Sequence, residues 1–161
     1  MMKQLYSEDD VKKLGDKIRK YTLIDITLVI LALGVGITVC FFVSDRNAKI
    51  LEAANILFSS VCGCTALYFL LNTILPARAK KNYTLRMCRA SSKTVCGRVF
   101  DKGKKITLLK YLKFAELRFT DEEGNERILY WDTDNDEPNF ENRIVGFQIV
   151  NNKIVGYGDA E

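Results

Sequence analysis

Residues 53–75 read AANILFSSVCGCTALYFLLNTIL, 23 residues without one Asp, Glu, Lys or Arg. At about 1.5 Å per residue, a helix of that length reaches across a hydrocarbon core about 30 Å thick. A helix buried in a water-soluble bundle normally keeps a polar stripe, and this run offers none. Upstream, residues 23–43, LIDITLVILALGVGITVCFFV, form a second run of 21 residues whose one charge is Asp25 near its start. A cleaved signal peptide is not expected, because 22 mostly polar residues with Glu8, Asp9, Asp10 and Asp16 precede the run and no small-residue cleavage site is evident. The two runs predict a pair of transmembrane helices.

Only nine residues, SDRNAKILE (44–52), join them, so the prediction is an antiparallel hairpin at 23–76 with spans 23–43 and 53–75. Cations set its orientation. Lys3, Lys12, Lys13, Lys17, Arg19 and Lys20 precede the first span, and Arg78, Lys80, Lys81, Arg86 and Arg89 follow the second, whereas the loop holds only Arg46 and Lys49. Both termini are therefore expected in the cytoplasm of an integral protein of a bacterial cell membrane. Small residues at four-residue spacing, Ala32 with Gly36 and Ser59 with Gly63, are expected to let backbones approach, as the hairpin's own seam or as a face for another subunit. Asp25, Asn55 and Asn72 fall toward the ends of the runs, within expected reach of headgroups and water.

Residues 1–22 read as a cytoplasmic amphipathic helix. Ser7 is the expected N-cap, acids fill the first turn, and Val11, Leu14, Ile18 and Tyr21 recur at helical steps opposite Lys12, Lys13, Lys17 and Lys20. Those lysines, with Arg78, Lys80, Lys81, Arg86 and Arg89, are the expected contacts to anionic lipid. Pro76 is expected to end the second helix, leaving a basic linker at 77–83.

From residue 84 the texture changes to short β-type runs. KTVCGRVF (93–100) and ITLLKYLKFAELRFT (106–120) predict strands separated by DKGKK (101–105). DEEGN (121–125) predicts a turn into ERILYW, and RIVGFQIV-NN-KIVGY (143–157) predicts a hairpin whose Asn151-Asn152 pair tolerates positive φ. Five or six strands over residues 84–161 point to a small all-β domain, an OB-like or SH3-like barrel. A helical hairpin carrying such a domain is similar in layout to several families of short bacterial membrane proteins, including NfeD-like ones. No sequence motif is shared, and the likeness implies no function.

The chain has no histidine, which excludes histidine-assisted hydrolases, imidazole-ligated zinc and histidine phosphotransfer. Its five cysteines have neither C-x-x-C nor paired metal-ligand spacing, and no glycine-rich phosphate motif occurs. DTDNDEPNFENR (132–143) places Asp132, Asp134 and Asp136 at positions one, three and five of a calcium loop. Glu137 then stands where the turn needs glycine, and Arg143 where a bidentate acid is needed. Half a motif between strands is better read as a solvated loop whose side chains bond their own backbone. No cofactor is expected.

Charge divides sharply along the soluble part. Residues 78–118 hold 13 Lys or Arg against two acids, and residues 119–161 hold three against 11. The basic part suits an anionic bilayer surface and the acidic part a protein partner. The acidic loops would repel nucleic acid, so none is expected to bind. The reading is a non-catalytic integral membrane protein whose barrel recruits, scaffolds or regulates a partner, expected to be another membrane or membrane-associated protein, with a homo-oligomer possible. The alternatives are a metal-dependent sensor or small membrane enzyme using residues 132–137, and a subunit of an oligomeric channel.

Overall fold

The computed structural model describes residues 2–42, 48–109, 111–135, 138, 140 and 143–159, without the side chains of residues 42, 48, 107–109 and 159. Among these, the elements run β1 (Lys3–Gln4), α1 (Glu8–Phe42), α2 (Ala48–Phe69), a π-helical segment (Leu70–Ile74), α3 (Leu75–Arg89), β2 (Lys93–Leu109), β3 (Leu112–Asp121), β4 (Glu126–Asp132), β5 (Ile144–Val150) and β6 (Lys153–Asp159). They form two compact units, Leu14–Arg78, and Met1–Lys13 together with Ala79–Glu161.

The first unit contains two helices long and apolar enough to cross a membrane. They are antiparallel, since Tyr21 meets Phe69 with ring centroids 5.7 Å apart while Gly36 faces Asn55. Their large side chains point away from each other: Ile30 is 63% exposed, Leu33 62%, Ile56 67% and Leu57 69%. Smaller or polar residues fill the seam, where Ala32, Gly36, Asn55 and Ser59 are half-buried and Cys62 is buried.

Two expected boundaries differ. Residues 8–22 do not form a separate helix: no Gly or Pro interrupts residues 16–33, so the helix begun at Ser7 runs unbroken to Phe42. Its cap is as expected, with the Asp10 N–H donating to Ser7 Oγ and the Ser7 N–H and hydroxyl donating to Asp10 Oδ2. Nor does Pro76 end the second helix. A proline lacks the N–H for a bond to the fourth residue back and crowds its carbonyl. Here the π-helical turn just before it widens the coil, the Leu75 N–H donating to Leu70 O, and α3 continues through the residues expected as a linker to Arg89.

The second unit is a closed five-stranded barrel. Around it the strands run β2-β3-β4-β6-β5 and back to β2, all antiparallel except where β4 meets β6 at Tyr130 and Lys153. Two-residue alternation sends Val99, Leu117, Phe119, Leu129, Trp131, Val145, Phe147 and Ile154 inward, and these side chains fill the interior. Leu117 pairs Leu129 across β3 and β4, one of the pairings the hydrophobic alternation allows. Asn151 and Asn152 have φ of 49° and 62°, the left-handed pair the hairpin requires.

β2 corrects another expectation. Residues 101–105 do not form a turn: β2 passes through them and pairs with β3 from Gly97 to Leu109, with three register shifts. Asp101, Lys102, Lys104 and Lys105 are exposed, so their polarity marks a solvent-facing wall rather than a loop. At Gly97 the strand is paired on both sides, with Asp121 of β3 and Val145 of β5. A Cβ there would stand 2.0 Å from Thr120 O, so only glycine fits.

Candidate functional site

The acidic stretch that invites a metal reading begins beside a hydrophobic cluster of Tyr6, Tyr83, Leu112, Phe114, Val150 and Val155. Asp132 ends β4 and is 1% exposed. Its Oδ2 accepts the Tyr6 hydroxyl at 3.1 Å and its Oδ1 accepts the Asp134 N–H at 3.0 Å. The Tyr83 hydroxyl lies 3.5 Å from that of Tyr6, and their rings meet edge to face at 5.6 Å. Asp132 therefore ties together the chain's start, helix α3 and the barrel.

Burial pushes the Asp132 carboxyl above its ordinary pKa, although the Asp134 N–H, the Lys80 charge and the Tyr6 hydroxyl pull it back in part. Burial first, and then the charge of Asp132, raises Tyr6 far above the phenol range, and burial pushes Tyr83 up to about 12. Both phenols are neutral at any physiological pH. Asp134 is paired with Lys80 at 2.5 Å. Asp136 and Glu137 lie outside the described residues, among which no cluster of three or more metal-ligating side chains occurs. What the geometry shows for Asp132 and Asp134 is a strut.

Three elements build this strut. β1 pairs with β6 through Lys3–Tyr157 and Gln4–Gly156, and the Leu5 N–H donates to Val155 O, which delivers Tyr6 to the barrel's end. On α3, Lys80, Tyr83, Thr84, Met87 and Cys88 recur at steps of three and four; Tyr83 and Thr84 are buried, while Met87 and Cys88 flank the cluster of Tyr6, Leu112, Phe114, Val150 and Val155. Lys153 places its ammonium over the rings of Tyr83 and Phe114, 5.4 and 5.8 Å from their centroids. The sequence reading missed Tyr6 and Tyr83. The period in α3 was the available signal, hidden by the expectation that Pro76 stops the helix.

Beside the strut, Gln4, Tyr6, Met87, Cys88, Ser92 and Gln148 line a pocket of about 70 Å³, room for a few waters. Burial, Glu8 and Asp10 all push the Cys88 thiol up, so it is a weak nucleophile there.

The expected lipid contacts divide. Lys12, Lys13, Lys17, Lys20, Arg78, Arg86 and Arg89 are exposed, Lys81 is half-buried, and Lys80 is engaged by Asp134. In the helical unit Gly63 stands apart from Ala32, Gly36 and Ser59. A Cβ on Gly63 would meet nothing within 4 Å, because at 100° per residue the seam follows Asn55, Ser59, Cys62 and Ala66 and leaves Gly63 to one side. Asn55 faces Gly36 instead of reaching water, and the Thr22 Oγ1 and Asp25 Oδ1 atoms are buried without a hydrogen-bond partner.

Tested against known protein families, curated proteins and solved structures, the chain matches none.

Proposed function

We propose that this is a non-catalytic integral membrane protein whose barrel recruits, scaffolds or regulates a partner at the inner membrane surface. One observation carries the membrane part: the largest apolar side chains of α1 and α2 face outward, Phe41 82% and Ile50 76% exposed, while small and polar residues face inward. In water that arrangement forfeits about 1.5–3 kcal/mol for each large side chain left exposed, whereas in lipid it is the stable one.

The barrel supports a binding role over a catalytic one. Its interior is filled by Phe119, Leu129, Trp131 and Phe147, so a ligand has to use the outer wall or the loops. We read the barrel as OB-like rather than SH3-like; what supports this is a strand order with the barrel's first strand between its second and fourth and a parallel contact between its third and fifth. We place both termini in the cytoplasm on the cation distribution and the acidic stretch toward the partner.

Full-length protein from cells should stay with membranes after alkaline washing and dissolve only in detergent. Gentle detergent capture followed by mass spectrometry should return a membrane or membrane-associated partner. A freely soluble monomer obtained without detergent overturns the membrane reading. Labelling of Cys88 or Cys96 by an impermeant maleimide on intact cells reverses the orientation.

A further inference from the structure

On the outer face of the barrel one row of paired residues runs across β1, β6 and β5, with Gln4 opposite Gly156 and Gly156 opposite Gln148. Gly156 leaves the middle of that row without a side chain. The space is used, since a Cβ there would stand 2.9 Å from Gln148 Oε1. Met87 and Cys88 from the last turn of α3, with Tyr6 and Ser92, complete the pocket of about 70 Å³ described above. Among the described residues the side chains of Gln4, Ser92 and Gln148 make no hydrogen bond, so three polar groups converge there with their acceptors free. The unpaired carbonyls at the end of α3 add to them.

The electrostatic sign is negative. Glu8 and Asp10 are the charges that act on the Cys88 thiol, and both raise its pKa. The pocket's lining contains no Lys or Arg. Cations close in sequence are directed elsewhere: Lys3 holds its ammonium 5.7 Å from the centre of the Tyr157 ring. Lys93 pairs with Ile149 while Thr94 pairs with Gln148, so strand alternation puts Lys93 on the face opposite Gln148. Arg86 and Arg89 are exposed to solvent.

We infer that this pocket takes the guanidinium of an arginine presented by a partner protein. The volume admits a group of that size and excludes a sugar or a nucleotide. A guanidinium is planar, weakly hydrated and carries five donors, which suits several separate acceptors between the walls of Tyr6 and Met87. An ammonium is compact and strongly hydrated, and loses more of its hydration on entering. An anion would meet Glu8, Asp10 and the negative end of α3. The inference rests on the recruiting role proposed above and names the group that the partner brings.

Cys88 lines the pocket, so its alkylation reports occupancy, with Cys96 on β2 as an internal control. The full chain in detergent micelles is treated with iodoacetamide at mildly alkaline pH and constant ionic strength, and each cysteine is followed by peptide mass spectrometry. A fragment of this size binds in the millimolar range, so about 10 mM N-acetyl-arginine amide should slow Cys88 about fivefold and leave Cys96 unchanged. The capped lysine and the neutral capped citrulline should leave both unchanged. Gln4→Ala with Gln148→Ala should abolish the slowing, while an unchanged Cys96 rate shows that the barrel is intact. No slowing by the arginine probe, or equal slowing by the lysine or citrulline probe, overturns the inference. Stronger slowing by free arginine than by the capped form assigns the pocket to a small metabolite and overturns the protein source. A partner captured equally well by the double variant overturns this inference and leaves the recruiting role standing. If capture returns no partner while the arginine probe still slows Cys88, the recruiting role fails and the guanidinium site is upheld.

Discussion

Tyr6→Phe removes one oxygen from a buried cluster and should destabilise the barrel more at neutral than at acid pH. In the native chain the Tyr6 hydroxyl donates to an Asp132 carboxylate that is 1% exposed. Deleting that hydroxyl takes from Oδ2 the hydrogen bond it accepts, since the Asp134 N–H is held by Oδ1. A hydrogen bond to a charged group contributes about 1.5–3 kcal/mol, and one between neutral groups about 0.5–1.5 kcal/mol. The cost should therefore be about 2 kcal/mol at pH 7. At about 4–8 °C per kcal/mol for a unit of this size, that is about 8–16 °C in Tm.

The pH dependence follows from the direction of the Asp132 shift. Its carboxyl is raised in the folded state, chiefly by burial, so the folded form binds the proton more tightly than the unfolded one. The stability linked to that proton is fully present below the unfolded pKa of about 3.9 and is lost as pH rises through the higher folded value. Tyr6→Phe removes one of the interactions that lower the pKa, raising the folded value further, so the variant's deficit should grow with pH and level off above it. Unfolding followed by Trp131 emission from pH 4 to 8 in detergent micelles measures the difference, and Asp132→Asn should largely erase its pH dependence. A deficit below about 0.5 kcal/mol at pH 7, or one that grows toward acid, would mean that the Tyr6 hydroxyl does not stabilise a buried carboxylate.

Gly97→Val should prevent the barrel from closing. Its Cβ would meet Thr120 O at 2.0 Å and Asp121 Cα at 2.9 Å, backbone atoms of a paired strand that cannot move aside, and loss of a cooperative Trp131 transition is the readout. At Asp121, burial pushes the carboxyl up, but the Asn125 N–H and side chain, Arg127 and the Glu123 N–H outweigh it and hold it below the usual range. Its stabilising contribution is present above the unfolded pKa and lost as pH falls through the lower folded value, so Asp121→Asn should flatten the acid limb of the stability profile below about pH 4. In the helical unit, Gly36→Leu should loosen the hairpin by colliding with Asn55, whereas Gly63→Leu should leave helix melting in micelles, followed by far-ultraviolet circular dichroism, unchanged.

Length, apolarity and period were legible in the chain itself. Residues 23–42 and 53–75 are helical, as an apolar run of that length without Pro leads one to expect, since a helix satisfies its backbone groups within the segment. The Asn151-Asn152 turn was equally plain, since few residues accept two successive left-handed conformations. Tertiary structure decided the rest. Strand order depends on pairings between residues far apart in sequence, and local alternation is silent about which strand becomes a neighbour. Pro76 stays within helical structure because a π-helical turn relieves its clash, and residues 101–105 stay in a strand because the sheet leaves them a solvent-facing side. Asp132 looks like a ligand in a line of aspartates, and folding makes it a strut by bringing Tyr6, 126 positions away, to its oxygen. A side chain's chemistry is written in its residue type, but its use is fixed by what the fold places within about 3 Å of it.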